Sequence, residues 1–335
     1  MKSRFDYTYS IDECDIIDKE HGEAFRQSRL KWMSWLNGDD PHSISRQVYS
    51  MVWDYALFCA VNELRRIAIT EPRPGVGFNG PVVRLFDAGF VTTQAIAIRR
   101  LIEKSKRDPS WAVISLRSIL KDIENNTRLI TRENYVCYDG LPYDYQSVHD
   151  QWILTLPTEN GGVHDTWLAT GGPSAWHMSE LVHKNFDRLS GVSPENRQRT
   201  DTISRSVFAE LENRIDTCKD IKKYVDKFVA HASAPETRVG LPEHQRAMTL
   251  DRLKVHQKTI YQVAGFISGH LLYESNLGGV PVPQSDHLSN LDQCWTTGQN
   301  LDKARQVWHE YAKEVSGWDS ASLWPVENGT DKDEP

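Results

Sequence analysis

A chain of 335 residues with net charge −7, 39% apolar and 10% aromatic side chains can bury a sizeable core and falls outside the disordered class. The acidity excludes tight, nonspecific coating of nucleic acid, which needs clustered Lys and Arg. No apolar run approaches the roughly 20 residues of a membrane span, and the N-terminus MKSRFDYTYSIDECD has no signal-peptide core. Five cysteines (Cys14, Cys59, Cys137, Cys218, Cys294), far apart and without a CxxC pair, suit a reducing compartment. A cytoplasmic protein with no membrane association is expected.

In chain order the pattern is helical. Residues 12–36 read as a first helix, with Ile16, Ile17, Phe25, Leu30, Trp32, Met33 and Leu36 as its apolar contacts. Pro41 and Ser43 mark a break and a new N-cap. A second helix over 44–70 carries Val48, Val52, Tyr55, Val61, Leu64 and Ile67 at helical spacing. Arg65 and Arg66 sit near its negative dipole end. The turn-rich TEPRPGVGFNG leads to Pro81, suited to a first helical turn, and a third helix runs to about Arg107. Asp108-Pro109 breaks it, and a fourth helix covers about 111–128. From 131 to 173 the periodicity fails, through a tyrosine cluster and Gly161-Gly162 and Gly171-Gly172. A loop that long inside a domain is either functional or conceals short helices. Helix returns at 174–189, 202–232 and 244–275. LGGVPVPQ reads as a linker, followed by a helix near 301–315 and an acidic tail expected to be disordered. No period-2 strand and no internal repeat stands out.

The helix over 202–232 ends in KDIKKYVDKFVAHASA (219–234), which places Asp226, Lys227 and His231 close together. Its apolar stripe is Val207, Leu211, Ile215, Cys218, Ile221, Val225, Val229 and Ala232. At 100° per residue His231 falls about 120–130° from the stripe's centre, on a shoulder beside Tyr224 and Phe228. A histidine near neutral pKa can move protons at a ribose 2′-OH or a leaving oxygen, and a cation must then meet the charge on phosphate. The bland reading of His231 is a helix-end histidine held by the dipole before Pro235.

This run resembles the signature helix of HEPN-superfamily proteins, particularly the AbiU-like abortive-infection branch. AIAIRRLIEKSKRDPSWAVISLRSIL (95–120) resembles the helix pair that precedes it. The resemblance implies an all-α HEPN-like helical bundle over 41–276, with a single helix before it (1–40). The periodicity and composition add to that bundle an irregular insertion at 131–173 and a linker, short helix and tail at 277–335. The resemblance further implies a metal-independent ribonuclease in a prokaryotic toxin or phage-defence system, often a homodimer with facing motif helices, with an antitoxin or regulatory protein as a further partner. His231 takes the acid–base role, with Asp226 orienting it, and Lys227, Arg99 and Arg100 contact phosphate. No metal or cofactor is called for. The family's motif arginine position holds Val225, so the alternative is a non-catalytic bundle that mediates protein interactions.

Other motifs carry less. Gly75-x-Gly77-x-x-Gly80 precedes a helix but follows one too, without the βαβ setting of a dinucleotide site. His177 and His183 are six residues apart and lie on nearly opposite faces of one helix, which does not make a zinc site. There is no G-x-S-x-G elbow.

Overall fold

The computed structural model describes residues 6–70, 80–105, 112–156, 167–231, 233–239, 241–242, 246–274, 281–291, 293 and 300–316. The chain divides into two compact units, Met1–Pro281 and Val282–Pro335.

The first unit is helical: α1 Lys19–Asn37, α2 Ile44–Thr70, α3 Gly80–Leu101, α4 Leu116–Asn125, α5 Arg132–Cys137 and α6 Tyr145–Leu154. There follow α7 Trp176–Ser190, α8 Arg205–Asp216, α9 Lys219–Tyr224, α10 Glu236–Val239 and α11 Leu250–Phe266. Among the described residues there is no strand, only an isolated antiparallel bridge between Thr131 and Thr202. The second unit's described helix is α12, Leu301–Ser316, which exposes Val307, Trp308, Tyr311 and Val315. No helix among the described residues is long and apolar enough to cross a membrane.

Six helix starts are closed by side chains that accept backbone N–H groups, which would otherwise lack partners. Asp18 caps α1, Ser115 α4, Thr131 α5, Asp144 α6, Ser204 α8 and Thr249 α11. The Asp18 cap explains why α1 starts at Lys19 and not at residue 12. Before it lies a short 3₁₀ turn, Ile11–Glu13, and Ile17, expected as a core contact, is 76% exposed. At Ser43 the carbonyl accepts from the Gln47 N–H, while the buried hydroxyl has no partner.

One core collects the inward faces of α1 (Phe25, Trp32, Met33, Leu36), early α2 (Ile44, Val48, Met51), late α3 (Ala95, Ile98, Leu101) and α4 (Leu116, Ile119, Leu120, Ile123). α8, α9, the turn after α9 and α11 add Phe208, Leu211, Ile215, Ile221, Val225, Leu253, Ile260 and Val263. Leu64 and Ile67, expected inward on α2, are exposed instead.

Buried arginines tie the helices together. Arg132, fully buried, donates to Asp201 (2.8 Å), Asp187 (2.8 Å), the His183 carbonyl (3.4 Å) and Ser190 (3.3 Å). Arg117 spans from the Ile102 carbonyl (3.0 Å) to Glu212 and Asp216. Arg29 reaches the Leu272 carbonyl (3.0 Å) and Glu274, with its guanidinium 4.2 Å from the Tyr138 ring centre. Such pairs are costly to break because the remaining charge is left buried.

The stretch 131–173 conceals helices: α5 and α6 lie within it, both packed on α7. Its turns at Gly140 (φ 86°) and Gly172 (φ 77°) both face Tyr9, and a Cβ at either would collide with that side chain. Outside the described residues fall the Gly75 and Gly77 positions of the glycine motif, the 106–111 break, residues 277–280 of the expected linker and the acidic tail beyond 316.

Candidate functional site: an arginine cleft beside α9

The helix expected over 202–232 is broken. α8 ends at Asp216, α9 restarts at Lys219, and Val225–Val229 forms a single π-helical turn closed by Ala230 N–H to Val225 O at 2.7 Å. A π turn winds about one extra residue, so angular positions computed at 100° per residue do not carry past Val225. His231 lies beyond this turn and is exposed, not on the helical shoulder assigned to it. Ala232 falls outside the described residues. Val225 is 2% exposed in the core, so the position matching the family's arginine is filled by packing.

A guanidinium reaches the π turn from α3. Arg99 Nε donates to Asp226 Oδ1 at 3.0 Å, and its Nη1 lies 3.3 Å from Glu103. Lys222 reaches the other Glu103 oxygen at 3.6 Å. Arg99, Glu103, Asp226 and Lys222 thus form a four-membered chain of alternating charge that clips α9 to α3. The end of α3 is fixed from α4, where Ser115 Oγ donates to Glu103 O at 2.7 Å and Arg117 Nε to Ile102 O. Lys227 is half-buried on the π turn, and Tyr224 packs on the core. Phe228 stacks on Tyr224 at 5.6 Å.

Arg99 and exposed Arg100 line a cleft of about 410 Å³ together with Glu103, Asp40, His42 and Gln47. The α1–α2 turn delivers His42 there: its N–H donates to Asp40 Oδ1 at 2.7 Å, and its carbonyl accepts from Gln47 at 2.6 Å. The cleft's imidazole is therefore His42, not His231. The sequence signal for it was weak, because Asp40-Pro41-His42-Ser43 reads as helix punctuation. A larger groove of about 670 Å³ between α8 and α11 is lined by Val207, Leu211, Val263 and Phe266. No imidazole lines it, and its cation, Arg214, is paired with Glu210 at 2.7 Å.

An acid–imidazole pair lies deeper on α9. His256 of α11 meets Asp220 at 3.2 Å, and Arg252 donates to the same carboxylate. Burial opposes ionisation of Asp220, but the hydrogen bonds from His256 and Arg252 prevail and hold its carboxyl well below the usual carboxylate range. His256 is buried, so this pair locks α11 onto α9 and does not face a ligand. His183 is buried under Tyr143, and that burial lowers its pKa to about 4 despite a hydrogen bond to the Tyr143 carbonyl.

Comparison of the chain with protein-family models, with curated protein sequences and with solved structures returns no match.

Proposed function

We propose that this chain is a HEPN-like, RNA-directed protein acting as a metal-independent endoribonuclease in a toxin or phage-defence setting. The observation that supports this reading is the bond from Arg99 to Asp226, which brings a guanidinium to the motif helix where Val225 supplies none. Arg99 and Arg100 are the phosphate contacts, with Lys227 as a further cation. His231 was the acid–base group expected from the sequence, and His42 is the imidazole that shares the arginines' cleft. In the reaction the ribose 2′-oxygen attacks phosphorus while a histidine takes its proton. The P–O5′ bond breaks, and the leaving oxygen receives a proton from an acid. The products are a 2′,3′-cyclic phosphate and a 5′-hydroxyl. A homodimer and a regulatory protein partner belong to the same reading.

A specific observation favours a second reading. Arg99 is held by two carboxylates, which offset the charge a phosphate would need, as in a bundle that binds protein partners without catalysis. Cleavage of total cellular RNA in chelator separates the two. The ribonuclease reading expects cyclic-phosphate ends from the wild type and a loss of at least about 100-fold on removing the working histidine. His42→Ala and His231→Ala, tested side by side, identify which imidazole works. Wild-type protein that leaves RNA intact sinks the ribonuclease and leaves the interaction protein. Val225→Arg does not restore the family arrangement, because arginine there enters the core; the variant is expected to unfold.

A further inference from the structure

Past the end of α11 stands a histidine that the Arg99 cleft does not use. Ile267–Leu271 forms a second π turn, a form that frequently marks functional positions, and His270 on it is exposed. Its ring is held from α7. Asn185, 8% exposed, donates from Nδ2 to the His270 carbonyl at 3.0 Å and to the Tyr135 hydroxyl at 2.6 Å. A carbonyl can only accept, so that corner of the amide is the NH2 and the other is the oxygen. His270 Nδ1 lies 2.7 Å from this oxygen and must therefore donate to it. The neutral imidazole then carries its lone pair on Nε2, which has no partner among the described residues. Tyr273, at φ 48°, follows the turn in a conformation that costs a bulky residue strain.

Phe266 packs on His270 with ring centres 4.9 Å apart and lines the groove of about 670 Å³ between α8 and α11. Gln262, exposed and without a partner among the described residues, lines the same groove. On α7, Arg188 follows Asn185 by three residues, the spacing of side-by-side helix neighbours. Ser204 N–H donates to Leu189 O at 2.9 Å, which brings Arg205, next to groove-lining Ser206, to the same junction. Arg188 and Arg205 are exposed, and neither meets a carboxylate among the described residues. The groove's own Glu210 is neutralised by Arg214 at 2.7 Å.

We propose that this junction binds a ribonucleotide unit, a ribose 2′-hydroxyl next to a 3′-phosphate. The hydroxyl donates to His270 Nε2, and the two arginines take the phosphate. The base enters the groove to stack on Phe266, with the Gln262 amide at its edge. A fixed acceptor beside two free cations calls for a ligand that carries a donor and an anion side by side. A deoxyribonucleotide lacks the donor, and inorganic phosphate lacks the ring that the groove would hold. The junction shares no residue with the Arg99 cleft. The inference concerns binding alone and stands or falls apart from the cleavage reading.

Titration of the full chain with the ribonucleoside 3′-monophosphates and their 2′-deoxy counterparts tests it, since none of these is a substrate for chain cleavage. At least one ribonucleotide is expected to bind about 5-fold tighter than its deoxy form, the size of one hydrogen bond. His270→Ala should erase that preference and leave the deoxy affinity unchanged. Arg188→Gln combined with Arg205→Gln should weaken both forms alike and flatten the salt dependence. A mixed-sequence RNA oligonucleotide that displaces the mononucleotide makes RNA the source of the unit; one that fails to displace it makes a free nucleotide the source. No binding of any nucleotide at millimolar concentration overturns the proposal, and so does equal affinity for ribo and deoxy forms. A preference that survives His270→Ala overturns it as well. If His270→Ala unfolds, the wild-type ratio of ribo to deoxy affinity and the exposed arginine pair decide.

Discussion

The corner where α5 meets α7 and the far half of the α2–α3 hairpin are built on opposite principles. At the corner, polar groups are buried and matched. Arg132 has four hydrogen-bond acceptors, Asp187 also takes Arg197 at 2.6 and 2.9 Å, and the guanidinium of Arg132 lies 5.0 Å from the Phe186 ring centre. In the hairpin, apolar groups are left in water, with Leu57, Leu64 and Leu85 all exposed. The first region gains its geometry from directional bonds that cannot be exchanged with solvent. The second leaves side chains that water already reaches. Changes at the corner should therefore be felt as stability, and changes along the hairpin's exposed row should scarcely be felt.

The sharpest break is Arg132→Met. It removes the positive partner from Asp187 and Asp201, whose side chains are only 14% and 11% exposed. Breaking a buried pair from one side costs about 3–5 kcal/mol, read as a lowered midpoint in urea. A midpoint within error of the wild type would mean that Arg197 alone suffices to hold Asp187, and the corner would lose its special standing.

Next in size is a pH effect at the same corner. His183 titrates near 4 when folded and near 6.5 when unfolded. Between those values the unfolded chain binds the extra proton, so stability rises with pH. The contribution of neutral His183 is complete above about pH 6.5 and is lost as the pH falls towards 4, amounting to about 2–3 kcal/mol. Unfolding free energies measured from pH 7 down to 4 should show this slope, and His183→Gln should flatten it. The hairpin has no counterpart, since its ion pairs, Arg65–Asp87 and Arg66–Glu63, contain no imidazole.

The contrast also marks what could be read in the sequence. α2 was legible to its ends because its apolar period is unbroken, and α7 was legible to within a few residues. The buried arginines were not, because Arg29, Arg117 and Arg132 look like any solvated helix charge until their acceptors arrive from distant segments. The interruption at Thr217-Cys218 carries no proline or glycine. The π turn at Val225 keeps the apolar stripe in place up to that residue and then shifts the phase. Val225 is therefore central to the stripe, as the spacing predicts, while His231 lies past the phase shift and off the shoulder that 100° steps predict. Arg99 and Asp226, singled out separately from two different segments, meet in one ion pair. His42 joins Arg99 only through the α1–α2 turn, and no periodicity reports that.

The smallest expected effects compare the two faces of α2 itself. Phe58, 4% exposed and stacked on Phe90, should report packing: Phe58→Leu loses the stack and costs about 1 kcal/mol. Its neighbour Leu57 points one step round the helix into solvent. Leu57→Ser should change the unfolding free energy, read from the same urea titration, by no more than about 0.5 kcal/mol. The difference between these two neighbours is the discriminating quantity. A Leu57→Ser penalty as large as that of Phe58→Leu would place Leu57 inside the chain's own packing, and the distinction between a closed corner and an open hairpin would fall with it.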